Sequence, residues 1–292
     1  MGRPSQSTPN ARPTAIQRIT LDAPAPERGW LGCIERELFG SSGVAEAWKA
    51  DLASQSGAAA CWRCASPVGP GEVDSLGCGW CRPKRLGYSR SVALGIYDGA
   101  LREALHDLKY HSSRATGLGV GRELGRAVQA VLDREGIDTD RVVLVPVPAT
   151  TRRRMLRNKG IDHALTLARA VGQETGCRVA RVLGRVHRAS QTAVPSSRRA
   201  SNVRGAFRVR ASWEDRDVDR VVLIDDVRTT GATLTACCRA LSGLIRGDGV
   251  RRGDVKRRLW AATVAVSVDD RRRGAGELAE SGRNAKDHVP KA

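Results

Sequence analysis

Four apolar residues, Val221 to Ile224, run directly into two adjacent carboxylates, Asp225 and Asp226. A hydroxyl-rich turn around a glycine follows, Thr229-Thr-Gly-Ala-Thr233. An unbroken apolar run predicts a strand covered on both faces, because a half-solvated strand would alternate apolar with polar residues. Thr233 to Ile245 then carries the apolar period of a helix, and Leu259 to Val268 reads as another buried strand. A buried strand, a polar turn, a helix and a second buried strand imply a crossover connection and hence a parallel sheet.

The same alternation begins upstream. Ser91 to Tyr97 predicts a strand, with Asp98 as N-cap of a helix whose Leu101, Leu105 and Leu108 form one stripe. Leu118 to Leu132 predicts a second helix, with Leu124, Val128, Val131 and Leu132 on one side. Val142 to Val147 predicts a strand, Asp162 to Thr175 a helix, and Arg178 to Leu183 a strand. Arg188 to Ala206 is a polar stretch too long for an ordinary connection in a compact domain, which suggests a functional loop. The expected fold is therefore α/β, a parallel sheet with helices on both faces. Residues 1–43, rich in Pro, Ser and charge, are expected to form a disordered leader, and 269–292 a disordered charged tail. Between them lie a cysteine-rich region, 44–88, with a short helix expected at Glu46 to Leu52, and a main domain, 89–268.

Of the 292 residues, 41% are apolar but only 4% aromatic, so Leu, Val and Ala must build the core. No apolar run is long enough to cross a bilayer, and the N-terminal stretch lacks the apolar centre of a signal peptide. A cytoplasmic protein is expected, with no membrane insertion. Lys and Arg number 49 against 31 acids, a net charge of +18. Between Arg152 and Arg210 there are 15 basic residues and two acids, Asp162 and Glu174. A solvated basic surface would account for this. So would a surface that attracts a polyanion such as a diphosphate or a nucleic acid strand.

Cys61-Trp-Arg-Cys64 and Cys78-Gly-Trp-Cys81 are two Cys-x-x-Cys pairs. Each pair offers two thiolates from one knuckle, and together they complete a tetrahedral sulfur site for structural zinc. Gly77 and Gly79 are expected to supply the permissive backbone. With four protein ligands there is no open position, so this zinc is expected to hold a fold and perform no catalysis. Cys33, Cys177, Cys237 and Cys238 lack such spacing, and the last two suit a helix core.

In an open parallel sheet, ligands bind beyond the carboxyl ends of the strands. Asp225 and Asp226 fall at that level. The turn Thr229, Thr230, Gly231, Ala232 and Thr233 offers backbone N–H groups, hydroxyls and a helix N-terminus, which together cradle an anion. Gly231 is expected to let the backbone approach a phosphate closely. Two carboxylates next to a phosphate site require a ligand that carries hydroxyls between them, as a ribose 5-phosphate does. The bland alternative is a simple helix N-cap. A Walker-type loop is excluded because no GxxxxGK[ST] occurs.

The stretch Val222 to Thr233 resembles the phosphoribosyl-diphosphate signature of type I phosphoribosyltransferases. With the four-cysteine ribbon, Leu108-Lys-Tyr110, Val145-Pro-Val-Pro148, Gln191 and Arg199 to Phe207, the chain from about Asp51 to Val268 resembles the ComF family, the competence-associated branch of that fold. The resemblance implies that Asp225 and Asp226 contact ribose hydroxyls and that Thr229 to Thr233 hold the 5-phosphate of phosphoribosyl diphosphate, with Mg2+ as its companion. It also implies a mobile lid over Arg188 to Ala206 carrying Gln191, Arg199 and Asn202. Arg228 departs from the pattern, standing where the family usually has an apolar or small residue. Lys159-Gly-Ile-Asp-His163 also departs from the more usual Arg-Gly-Phe-Asn-Gln/His. The first forty-odd residues have no family counterpart.

Three functions remain open on the sequence. One, placed first, is a phosphoribosyltransferase acting on an unidentified nitrogen acceptor. A second is a phosphoribosyl-diphosphate-binding competence factor that handles internalised single-stranded DNA, with competence helicase machinery as partner. The third is a regulator on a transferase fold.

Overall fold

The computed structural model describes residues 17–19, 59–110, 114–149, 162–186, 205–213, 218–247 and 251–268. Apart from 17–19, the leader and the expected helix at Glu46 to Leu52 lie outside these residues. So do the tail, Arg188 to Arg204 and the basic run Arg152 to Lys159.

In chain order the strands and helices are β1 (Gln17–Ile19), β2 (Val73–Asp74), β3 (Gly77–Cys78), β4 (Arg90–Ile96), α1 (Gly99–Tyr110), α2 (Arg114–Glu135), β5 (Val142–Pro146), α3 (His163–Thr175), β6 (Arg178–Val179), β7 (Leu183–Arg185), β8 (Phe207–Val209), β9 (Ala211–Trp213), β10 (Arg220–Arg228), α4 (Ala232–Gly247), α5 (Arg252–Arg258) and β11 (Leu259–Val266). Five strands form one sheet in the order β4-β11-β10-β5-β6, and every pairing in it is parallel.

The two-residue period of the strands sorts their side chains into two cores. Val142 and Leu144 of β5, Val222 and Ile224 of β10, and Trp260, Ala262 and Val264 of β11 face the leucines of α1 and α2 and the apolar side of α3. Val143, Val145, Val221, Leu223, Leu259 and Ala261 face α4 and the cysteine region. Both sides of the sheet are thus covered, which explains why the central strands are apolar at consecutive positions.

The expected stripe of Leu101, Leu105 and Leu108 is fully buried. Asp98 accepts the Arg102 N–H through its backbone carbonyl at 3.0 Å, which places it at the N-cap of α1. Asp162 caps α3, its side chain accepting the Leu165 N–H at 3.3 Å. One expected strand divides. Arg178 to Leu183 pairs with β5 only over Arg178–Val179, and β7 then pairs antiparallel with β8. The reason lies in Val182 and Phe207, which pack into the α4-side core and draw the chain away from the sheet edge. The long polar segment therefore departs from and returns to a small antiparallel pair, closed by a Val186 N–H to Ala206 carbonyl bond of 2.8 Å.

Gly117, Gly121 and Gly125, spaced four apart, bring α2 close to α3. A Cβ on Gly121 would lie 2.5 Å from the Ala170 Cβ, and one on Gly125 would lie 2.6 Å from the Glu174 Cβ. Gly121→Val is expected to force the two helices apart and to destabilise the protein by roughly 1–3 kcal/mol. Chemical denaturation of the two proteins, compared at equal zinc content, measures this.

Candidate functional site: a metal ribbon beside an anion loop

The crossovers leave β5 and β10, which are neighbours, in opposite directions. From β5 the chain passes through α3 to β6, and from β10 through α4 to β11. A cleft opens at the carboxyl ends of adjacent strands where the winding reverses, and doubly wound folds place their ligands there. Asp225 and Asp226 stand at this position, Asp225 in register with Thr263 of β11.

The pair is held by its own backbone. Asp225 Oδ1 accepts the Asp226 N–H at 3.0 Å, and Asp226 Oδ1 accepts the Val227 N–H at 2.6 Å. Burial, and then the neighbouring Asp226 carboxylate, raise the pKa of Asp225 well above the usual carboxylate range. Asp226 meets Lys109 from the end of α1, Nζ to Oδ2 at 2.7 Å, with both side chains partly exposed. His163, the first residue of α3, is buried, and neither ring nitrogen has a hydrogen-bond partner among the described residues. Desolvation lowers its pKa, while the charge of Asp226 acts in the opposite direction. Lys109 and His163 thus join the carboxylate pair. Both lie in motifs already singled out, Leu108-Lys-Tyr110 and Lys159-Gly-Ile-Asp-His163, but residue spacing alone does not place either beside the carboxylate pair.

The turn after β10 begins α4 at Ala232. Thr229 and Thr230 are exposed, and Thr230 Oγ1 accepts the Ala232 N–H at 3.4 Å. That contact is the capping expected of a bland reading, yet the first turn of a helix leaves four N–H groups without intrahelical partners. Gly231 has φ +77°, a left-handed conformation suited to glycine. A Cβ there would meet the Tyr88 hydroxyl at 3.2 Å and Leu86 Cδ2 at 3.4 Å, so the observed crowding comes from the end of the cysteine-rich region, after Cys81. Gln191, Arg199 and Asn202, expected on a lid, lie outside the described residues.

Cys61, Cys64, Cys78 and Cys81 converge in the α4-side core, all buried and none in a disulfide. Their sulfurs lie within 4.8 Å of one another, with 3.8 Å between Cys61 and Cys81, 3.6 Å between Cys64 and Cys78, and 3.9 Å between Cys78 and Cys81. A tetrahedron with metal–sulfur bonds of about 2.3 Å has edges of about 3.8 Å, so the donor set fits zinc. Burial, followed by the charges of Cys61 and Cys78, raises the Cys81 pKa, and burial likewise raises that of Cys64. Burial thus disfavours the thiolate forms of Cys64 and Cys81, and a cation such as zinc between the four sulfurs is what would stabilise them.

The ribbon is braced by its own residues. Arg63 donates to the carbonyls of Leu76 at 2.8 Å, Cys81 at 3.3 Å and Lys84 at 3.3 Å, and Trp62 Nε1 donates to the Asp74 carbonyl at 3.1 Å. Gly77 has φ +100°, and a Cβ on it would stand 2.5 Å from the Cys81 sulfur, so its role is as expected. Gly79 differs from expectation: it has no positive φ, and the left-handed residue of the other knuckle is Ala65, at φ 57°.

The ribbon docks directly on α4. Gly87 N–H donates to Thr235 Oγ1 at 3.2 Å, and a Cβ on Gly87 would lie 2.7 Å from the Cys238 Cβ. Arg228 connects the ribbon to the turn between β10 and α4. It is only 1% exposed, donates through Nη2 to Ser66 Oγ at 2.8 Å and through Nη1 to the Thr229 carbonyl at 3.1 Å, and stacks 4.2 Å from the Trp80 ring centroid.

The geometry defines a parallel α/β domain with a carboxylate pair and a strand–helix turn at its switch point, and with a buried four-cysteine cluster that fits zinc. No family model matches the chain. It is similar to the DNA utilization protein YhgH of Salmonella typhi, 28% identical over 184 residues, which span 62% of this chain and 77% of that protein. It is also similar to the protein of the same name from Salmonella typhimurium, 27% identical over 175 residues, 59% of this chain and 74% of the relative. Among the described residues, no helix is long and apolar enough to cross a membrane.

Purified under reducing conditions, the protein is expected to hold one zinc per chain. Cys61→Ser or Cys78→Ser should lose the metal and much of the stability, since structural zinc contributes on the order of 10 kcal/mol to folding in small modules. Elemental analysis with thermal melting checks both expectations, and freshly prepared reduced protein without zinc contradicts them.

Proposed function

We propose that the chain binds phosphoribosyl diphosphate with Mg2+ at the carboxyl end of β10 and serves in DNA utilization. The observation that carries the binding reading is two adjacent carboxylates, Asp225 and the Lys109-paired Asp226, standing one turn before a helix N-terminus, at the reversal of strand winding. Carboxylates suit hydroxyls and a hard cation, the helix N-terminus suits a phosphate, and one ligand that satisfies both is a ribose 5-phosphate. The DNA utilization part rests on the names of the relatives.

Within this reading Asp225 and Asp226 accept hydrogen bonds from the ribose 2- and 3-hydroxyls, and Thr229 to Thr233 hold the 5-phosphate through backbone N–H groups and hydroxyls. Lys109, now paired with Asp226, exchanges that partner for the ligand's diphosphate. The carboxylate pair also suits Mg2+, which when bound would neutralise charge on the diphosphate oxygens. In a transfer reaction the ribosyl C1–oxygen bond breaks, the electron pair leaves with diphosphate, and a C1–nitrogen bond forms to the acceptor. Asp225 and Asp226 then stabilise positive charge growing on the ribose ring.

Titration calorimetry with phosphoribosyl diphosphate and Mg2+ tests the binding. Asp226→Asn keeps the Oδ1 acceptor for the Val227 N–H but removes the charge. The loss of a charge-assisted hydrogen bond worth about 1.5–3 kcal/mol should weaken binding roughly ten- to a hundredfold. The pKa of Asp225 is raised, so the free protein carries a proton there below that pKa and binding as the carboxylate expels it. Affinity should therefore rise with pH through that pKa and level off above it, with proton release visible in buffers of different ionisation enthalpy. Wild type that binds nothing, or binds as Asp226→Asn does, contradicts the site reading.

A second reading, direct contact with single-stranded DNA, is favoured by the basic stretch from Arg152 to Arg210 together with the relatives' names. Affinity for an oligonucleotide should then fall steeply with salt. Neutralising Arg152, Arg153 and Arg154 should flatten the log–log slope by roughly the number of phosphates these side chains neutralise. A salt-independent or absent interaction leaves a solvated basic surface.

A further inference from the structure

Arg228 is a buried cation without a carboxylate partner among the described residues. A guanidinium does not deprotonate in proteins, so its burial demands a compensating negative charge. The groups around it that can carry negative charge are Cys64, Cys78 and Cys81, since burial keeps the Tyr88 hydroxyl protonated. Its stacking partner, Trp80, sits between two of those cysteines, and its hydrogen-bond partner, Ser66, lies two residues after a third. Zinc held by four thiolates carries a net negative charge, which is the counterion this guanidinium lacks.

The same side chain donates to the carbonyl of Thr229, the first residue of the anion loop. A second strut runs beside it. Tyr88 is fully buried, its hydroxyl has no hydrogen-bond partner among the described residues, and that hydroxyl faces the position where a Cβ would stand on Gly231. The loop is thus supported at Thr229 by Arg228 and at Gly231 by a residue of the segment that follows the ribbon.

We propose that Arg228 is a positioning residue that couples the metal ribbon to the anion loop: its guanidinium neutralises the zinc–thiolate centre while holding Thr229 in place for a phosphate. Metal occupancy thereby sets the loop's affinity for ribose 5-phosphate, and by reciprocity a ligand on the loop slows the loss of the metal. The ligand half of this coupling rests on the proposed function; the charge pairing does not.

Zinc release to a chromogenic chelator, followed in the whole protein without ligand, tests the pairing. Partners just outside a metal's ligands typically change affinity ten- to a hundredfold, so Arg228→Met should release zinc roughly tenfold faster or more. Arg228→Gln, neutral but still able to donate to Ser66, should do the same and serves if the methionine variant does not fold. Arg228→Lys keeps the charge and should stay near wild type. Wild-type release from a neutral variant overturns the proposal, as does a lysine variant that loses zinc as fast as the neutral ones, because stacking and shape would then be the whole role.

The coupling is read in protein with Co2+ in place of Zn2+. Phosphoribosyl diphosphate with Mg2+ should shift the cobalt–thiolate absorption bands and slow metal release about fivefold or more in wild type, and do neither in Arg228→Gln. Ligand that binds by calorimetry yet leaves bands and release unchanged overturns the coupling. Absence of calorimetric binding refutes the proposed function instead, and the ligand-free release rates still decide the charge pairing.

Discussion

β10 is hydrogen-bonded along both edges, to β5 and to β11, and is packed on both faces between the α1–α3 layer and the α4–ribbon layer. Its backbone has no freedom to bend within the sheet. What emerges at its carboxyl end is therefore fixed in position before any ligand arrives. Placing two carboxylates there is costly, as the raised pKa of Asp225 indicates, and only a rigid support keeps them from turning outward to solvent. The Lys109 ion pair with Asp226 offsets part of that cost from the opposite layer. Rigidity, charge and the helix N-terminus that follows are thus consequences of one strand being buried on every side.

The α4 layer is built differently. With few aromatic residues, the core on that face is completed by the ribbon itself, whose four cysteines pack with Leu86, Tyr88, Cys237 and Cys238. The ribbon's own strands are two residues each, too short to fold without help. A metal held by the four cysteines would supply the missing cohesion, and the docked ribbon in turn covers the first turns of α4, through Gly87 against Thr235. The cysteine cluster and the turn that opens α4 are both built against this one packed layer.

Much of this is legible in the residues. Apolar runs at β5, β10 and β11 announce a parallel sheet because burial on both faces leaves no room for alternation. The two Cys-x-x-Cys pairs announce their convergence because few other arrangements satisfy four thiols in a core. The split of Arg178 to Leu183 is not legible, since a short apolar segment looks the same whether it pairs with the sheet or packs beside it. That Lys109 and His163, both within motifs the sequence offers, meet the acidic pair is not legible for a related reason. They reach the acidic pair from two helices, α1 and α3, distant from β10 in sequence, and no local pattern encodes which helix ends meet. Gly231 also packs close to Tyr88 and Leu86, a tertiary contact across more than a hundred residues that no local pattern encodes.

Arg228 illustrates what a departure from a family pattern can mean. On the sequence it is an arginine among many, in a chain where basic residues are common on any reading. Buried, it cannot be a surface ornament, because an uncompensated guanidinium in a core would undermine the fold. Its partners are Ser66, Trp80 and the Thr229 carbonyl, two of them within the ribbon's knuckles and one in the anion loop. A small or apolar residue at 228 would leave ribbon and loop merely in contact, free to respond separately. In the proposed coupling the arginine adds a charge that the metal–thiolate centre would compensate, and the state of the ribbon would then be felt at Thr229, whose carbonyl Arg228 holds.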